Sequence, residues 1–260
     1  MGIIKNNILV FRFIIMKKSS IFLLITFVTI FKINAQVEIE IKTLQPGKIS
    51  SFQAYGLGNL SNEVPLSRIN GSPFFNEDWQ FATLLGNGKK ESWFCKAKMN
   101  LVTNEIHYLD NAENDLVIES GVVKKLILRD NIDTSKILAT FEYHTEPPII
   151  PTDKKGLYVQ ILNKGPYQLL KYDKRTLTSK DSLFGTQKKY LFADRLYYFI
   201  SHMQKPEPIK KLNQDLVLTF LPSSLSYKEW ISKNKINLKN EDDVITFLNY
   251  YNQHQPIATL

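Results

Sequence analysis

Cysteine is nearly absent: Cys95 stands alone in 260 residues, so no intramolecular disulfide can form. Packing alone must hold such a chain together. Histidine is almost as scarce. His107, His144, His202 and His254 lie far apart, with no His-x-His or His-x-x-x-His spacing, which excludes a local zinc motif. No Gly-x-Ser-x-Gly elbow and no P-loop occur. Gly56-Leu57-Gly58 lacks the third glycine of a dinucleotide fingerprint and reads as a turn. No metal site and no cofactor are expected from these residues. Long apolar runs are missing too. A spanning helix needs about 20 apolar residues, and the run that follows Lys18 is broken by Lys32. Integral membrane insertion is therefore not expected.

That interrupted run has another reading. Met16 is followed by Lys17-Lys18, the apolar stretch Ile21 to Phe31, and Ile33-Asn34-Ala35 ahead of Gln36. A positive start, an apolar centre and a small residue before the cut form a secretory signal peptide. Cleavage is expected between Ala35 and Gln36, with export to the periplasm or beyond. Met16 is the expected start, which makes residues 1–15 an over-called beginning; an extended signal is the alternative. No cysteine ends the apolar stretch, so lipoprotein processing is not expected.

Removing residues 1–35 alters the charge. They carry Lys5, Arg12, Lys17, Lys18 and Lys32, five of the 33 basic residues, and none of the 25 acidic ones, so the net charge falls from +8 to +3. A general nucleic-acid binder keeps a clear basic excess, and no nucleic-acid partner is expected. Roughly 225 residues remain, enough for one large domain or two small ones.

From Val37 the dominant period is two. Val37 to Lys42 alternates apolar and charged residues as a half-buried strand does, and Pro46-Gly47 should end it. Residues 48–80 read as loop with short strand pieces. Gly86-Asn87-Gly88 marks a tight turn. Trp93 to Leu101 is the clearest strand, followed by Glu105 to Leu109, Leu116 to Glu119, Val122 to Arg129 and Ile137 to Tyr143. Close spacing with polar turns predicts an antiparallel meander. Pro147-Pro148 and Pro151 suggest a hinge between two sub-sheets. Leu157 to Leu162 and Tyr167 to Tyr172 form a hairpin, Lys174 to Lys189 reads as a basic, turn-rich stretch, and Tyr190 to Asp194 and Leu196 to Ser201 follow. Pro206 and Pro208 should close the β region.

The tail changes period. Asn213 can cap a short helix ending at Pro222, and Ser226 to Glu229 has capping-box spacing. Asn240 precedes Glu241, Asp242 and Asp243, acids that suit a helix start. Val244, Phe247, Leu248 and Tyr251 then share one helical face. The predicted fold is mainly β (α+β): an antiparallel meander forming an open barrel or curved sheet over residues 36–205. A helical tail of two or three short helices, residues 206–260, packs on the sheet.

Four segments carry a resemblance. Gly71 to Asp78, with Pro73 and Phe74-Phe75, resembles the box that opens a large group of secreted proteins of Bacteroidota. Met99 to Ile106 is similar to that group's next strand pair, which carries an Asn in its first strand. Gly156 to Lys171 is similar to its central hairpin, and Lys228 to Asn252 to its closing helices. The resemblance implies a place in the cell envelope or outside it; the group has no assigned activity, so none carries over.

Candidate chemistry is sparse. Cys95 shares a strand face with Trp93 and Met99 and reads as a small buried hydrophobe. Asp110, Glu113 and Asp115 crowd one turn, where turn chemistry alone selects such residues. Asp181-Ser182-Leu183 is similar to a short O-glycan acceptor. One basic band survives removal of the leader: residues 153–190 hold Lys154, Lys155, Lys164, Lys171, Lys174, Arg175, Lys180, Lys188 and Lys189 among four tyrosines. Lys171, Lys174 and Arg175 are the candidate anion-binding residues; lysines that keep strand edges apart are the alternative. The expected function is a non-catalytic binding module of the cell envelope. Its partner would be an envelope protein or an anionic glycan or lipid. A hydrolase assembled from scattered residues is the alternative.

Overall fold

The computed structural model describes residues 43–46, 51–54, 62–86, 92–145, 156–181, 188–222 and 227–254, all within one compact unit. These residues form fourteen strands: β1 (Thr43–Pro46), β2 (Ser51–Ala54), β3 (Asn62–Pro65), β4 (Ile69–Asn70), β5 (Gln80–Gly86), β6 (Ser92–Asn100) and β7 (Glu105–Leu109) come first. Then follow β8 (Asp115–Ile118), β9 (Val123–Arg129), β10 (Ile137–His144), β11 (Leu157–Ile161), β12 (Tyr167–Asp181), β13 (Lys188–His202) and β14 (Lys205–Ile209). Three short helices close the described chain: α1 (Gln214–Thr219), α2 (Lys228–Lys233) and α3 (Glu241–His254). The protein is mainly β, and its large sheet is antiparallel except where β4 joins β13.

Two meanders run outward from a central pair. β5 to β8 proceed one way, β9 returns to the free side of β5, and β9 to β14 proceed the other way. The β8–β9 connection forces curvature. β8 lies four strand positions from β9, about 19 Å in a flat sheet, yet they are joined by one turn in which Val122 N–H donates to Glu119 C=O. Gly121, at φ 87°, makes that turn, and a Cβ there would press on the Tyr143 ring. The β5–β9 segment therefore rolls toward an open barrel, with β1 rather than β9 paired to the free side of β8. Its inner face packs Leu84, Met99, Ile106, Leu126 and Leu128, all fully buried.

Several sequence expectations need correction. Pro46, expected to end a strand, is the last residue of β1 and pairs with Leu116 at the sheet edge, where a missing N–H is tolerated. Strands on either side of the Pro147 segment pair directly, from Phe141 with Gln160 to His144 with Leu157, so the sheet passes that point without a hinge. The expected basic turn-rich stretch is instead the outer half of a hairpin whose strands are 15 residues each. Pro206 and Pro208 lie within β14, an edge strand whose prolines and Lys205 blunt further pairing. The strand expected at Val37 to Lys42, the Gly86-Asn87-Gly88 turn beyond Gly86, Ser182 and the Ser226 cap lie outside the described residues.

The tail folds as its period predicts. The Asn240 side-chain oxygen accepts from the N–H groups of Asp242 and Asp243, at 2.8 and 3.2 Å, and so caps α3. Val244, Phe247, Leu248 and Tyr251 pack with Leu169 and Ile200 of β12 and β13. Two asparagine amides, the buried Asn104 and the half-buried Asn252, lock the elements together. Asn104, in the β6–β7 turn at φ 53°, accepts from Tyr158 N–H at 2.7 Å and donates to Tyr158 C=O at 2.9 Å. Asn252 does the same for Tyr167, at 3.0 and 2.8 Å, and also donates to Lys164 C=O. Each amide stands in for a missing neighbouring strand.

Candidate functional site

The outer half of the β12–β13 hairpin carries most of the charged residues of the sequence's basic band. Its register is unbroken, so odd residues of β12 share one face with even residues of β13. On that first face charges are matched. Lys171 donates to both carboxylate oxygens of Glu241, at 2.9 and 3.1 Å, and Tyr198 donates to the same group at 2.7 Å. Burial, and then the Glu241 carboxylate, push the Tyr198 phenol well above its ordinary value. Arg175 holds Asp194 with two parallel bonds, at 2.6 and 2.9 Å. Its remaining nitrogen donates to the carbonyls of Ser72 and Phe74.

Asp173 lies between these pairs. Its Oδ1 is buried without a hydrogen-bond partner. Burial, then the Asp194 carboxylate, raise its pKa above the usual carboxylate range, against the pull of Arg175 and Lys171. A raised folded pKa means stability that is present below the unfolded value and lost as pH rises through the folded one. Asp173→Asn is expected to be more stable than wild type at neutral pH, with the gap closing in acid. Urea unfolding across that range checks it; a variant less stable at neutral pH would contradict this account.

The opposite face is sorted differently. Along β12 it presents Lys174, Thr176, Thr178 and Lys180; along β13, Lys189, Leu191, Ala193 and Arg195. Lys174 stands directly across from Arg195, and Lys180 across from Lys189. Like charges so placed destabilise a sheet. No acidic residue occupies this face between positions 168 and 180 or between 189 and 201. Arg195 lies over the Tyr197 ring, 5.2 Å from its centre, and Tyr197 stacks on Tyr172. Thr176 and Thr178 donate across the ladder to the carbonyls of Ala193 and Leu191. No family model, curated protein or solved structure matches this chain. The site therefore has to be read from its own chemistry.

The three sequence candidates do not converge. Lys171 and Arg175 lie on the matched face, each bound to a carboxylate. Lys174 alone lies on the cationic face. Lys180, Lys189 and Arg195 complete that face, and the signal for them was available: Lys174, Thr176, Thr178 and Lys180 recur at period two. Reading the stretch as turns hid it.

Other polar groups serve the fold. His107 is 1 % exposed, with Nδ1 3.0 Å from Asp115 and Nε2 3.5 Å from the Asn100 amide nitrogen. Asn100 Oδ1 already accepts from Val102 and Thr103, so its NH₂ faces the ring and Nδ1 carries the proton toward Asp115. Such a ring orients strands; its second nitrogen meets an amide, not a hydroxyl or thiol. Asp110 accepts from Ala112 and Asn114 within its own turn. Burial pushes the Cys95 thiol up to about 12, which suppresses thiolate chemistry. Among the described residues no cluster of three metal-ligating side chains occurs, and no helix is long and apolar enough to cross a membrane.

Proposed function

We propose that the protein is an exported, non-catalytic binding module of the cell envelope, and that it engages its ligand through the outer half of the β12–β13 hairpin. One observation carries this reading: the acids of the outer hairpin lie on the matched face with Lys171 and Arg175, leaving Lys174, Arg195, Lys180 and Lys189 opposed to one another without an acid on their face. A fold gains nothing from like-charge cross-strand pairs. A ligand of opposite charge gains from them all. The leader-like segment ending at Ala35 and the resemblance to secreted proteins of Bacteroidota support the location.

The reading is tested on isolated cell envelopes. Purified protein is expected to sediment with them at low salt and to be released as salt rises. The quadruple variant K174S/K180S/K189S/R195S is expected to remain in the supernatant. Equal sedimentation of variant and wild type would overturn the reading. N-terminal sequencing of the protein recovered from cells is expected to begin at Gln36; a retained leader would remove the export half.

A further inference from the structure

The cationic face has a spacing, and the spacing selects among anions. Lys174 with Arg195 forms one charged pair and Lys180 with Lys189 another, six residues further along the hairpin. At the rise of an extended strand that is about 20 Å. Between them lies an uncharged stretch of Thr176, Thr178, Ala193 and Leu191. Nucleic acid offers an uninterrupted row of charges, one per about 1.7 Å of duplex, and an anionic bilayer offers a continuous charged plane. Neither calls for a neutral stretch in the middle of its site.

The hydroxyls sharpen the choice. Thr176 and Thr178 direct their protons into the sheet, onto Ala193 and Leu191 carbonyls at 3.3 and 3.1 Å. What each hydroxyl turns outward is an acceptor lone pair. An acceptor suits a ligand that brings its own O–H donors between its charges. Phosphodiesters bring acceptors only; sugars bring donors. Arg195 is meanwhile steadied over the Tyr197 ring, which positions a planar fork suited to a carboxylate or sulfate.

We propose that this face binds a linear acidic polysaccharide. Its anionic groups seat on Lys174–Arg195 and on Lys180–Lys189, and hydroxyl-bearing units cross Thr176 and Thr178. The inference rests on the reading of the protein as a binding module and names the ligand class of that same face.

Titrations with polygalacturonate, heparin, duplex DNA and phosphatidylglycerol vesicles test it, using purified protein at low and high salt. Polygalacturonate or heparin is expected to bind more tightly than DNA or vesicles. K174S/K180S/K189S/R195S is expected to weaken that binding about 30-fold or more. Its melting temperature should be unchanged or higher, because two like-charge pairs are gone. The charge-matched control K164S/K205S/K233S/K239S, at exposed lysines elsewhere, should bind as wild type does. Equal loss in the control would reduce the effect to net charge and overturn the proposal. Tighter binding of DNA or vesicles, with the same four-residue dependence, would overturn the ligand class but leave the binding module standing. If no probe binds while envelope sedimentation still depends on the four cations, the polysaccharide is wrong and the module survives. If sedimentation fails as well, both fall.

Discussion

Asn104→Ala is expected to cost about 4 kcal/mol of folding stability. The amide of Asn104 is 3 % exposed and bonds both backbone groups of Tyr158, which lies 54 residues away. Removing it leaves a buried N–H and a buried C=O unpaired, at roughly 1–3 kcal/mol each. Alanine at a positive φ adds about 1 kcal/mol. Single domains carry about 5–15 kcal/mol in all, so the variant should lie near the limit of folding. Asn104→Gly separates the two causes, since glycine tolerates the backbone but restores no hydrogen bond; it should recover about 1 kcal/mol. Urea midpoints at unchanged slope check both values. A loss in the Ala variant of under about 1 kcal/mol would mean that the amide does not carry the Tyr158 pairing.

Arg175→Met is expected to cost about 3 kcal/mol. The side chain is a three-way tie, joining Asp194 of the neighbouring strand to the carbonyls of Ser72 and Phe74, about a hundred residues earlier. Asp194 is 41 % exposed and can turn to water, which limits its share of the loss. The carbonyls lose a charged donor, and the 72–75 segment, which pairs with the end of β6, loses its anchor. Arg175→Lys keeps the charge but cannot make the fork, and should recover less than half the loss. Differential hydrogen exchange should place the new opening at residues 72–75. Faster exchange confined to the hairpin tip would contradict this role.

How much of this was legible follows from the range of each interaction. Alternation placed β6, β7, β9 and β10 within a residue or two, because one face of each is apolar. The face of α3 was equally plain from Val244, Phe247, Leu248 and Tyr251. The outer part of β12 was not. Lys174 to Asp181 is polar on both faces apart from Leu177, so no hydrophobic period marks it, and what holds it extended is long-range: pairing with β13 and the bond from Arg175 N–H to Leu101 C=O. That misreading also scattered the cationic face into a general basic band. Return of β9 to β5 could not be seen either, since nothing local chooses between the partners available to a central strand. Asn104 falls between two expected strands, where a polar turn belongs, and it makes one; its distant partner left no mark in the sequence around it.

The reach of Asn252 also sets an order in time. Tyr167 and Lys164 wait for an amide 85 and 88 residues further along the chain. At a synthesis rate of about 5–20 residues per second, that side chain appears several seconds after the hairpin turn it closes. Contacts of such separation form late. Until α3 emerges, Tyr167 N–H and Lys164 C=O stay hydrated, while Asn163 already bonds Tyr167 C=O and Leu169 N–H, so the turn is set in two stages, one local and one delayed.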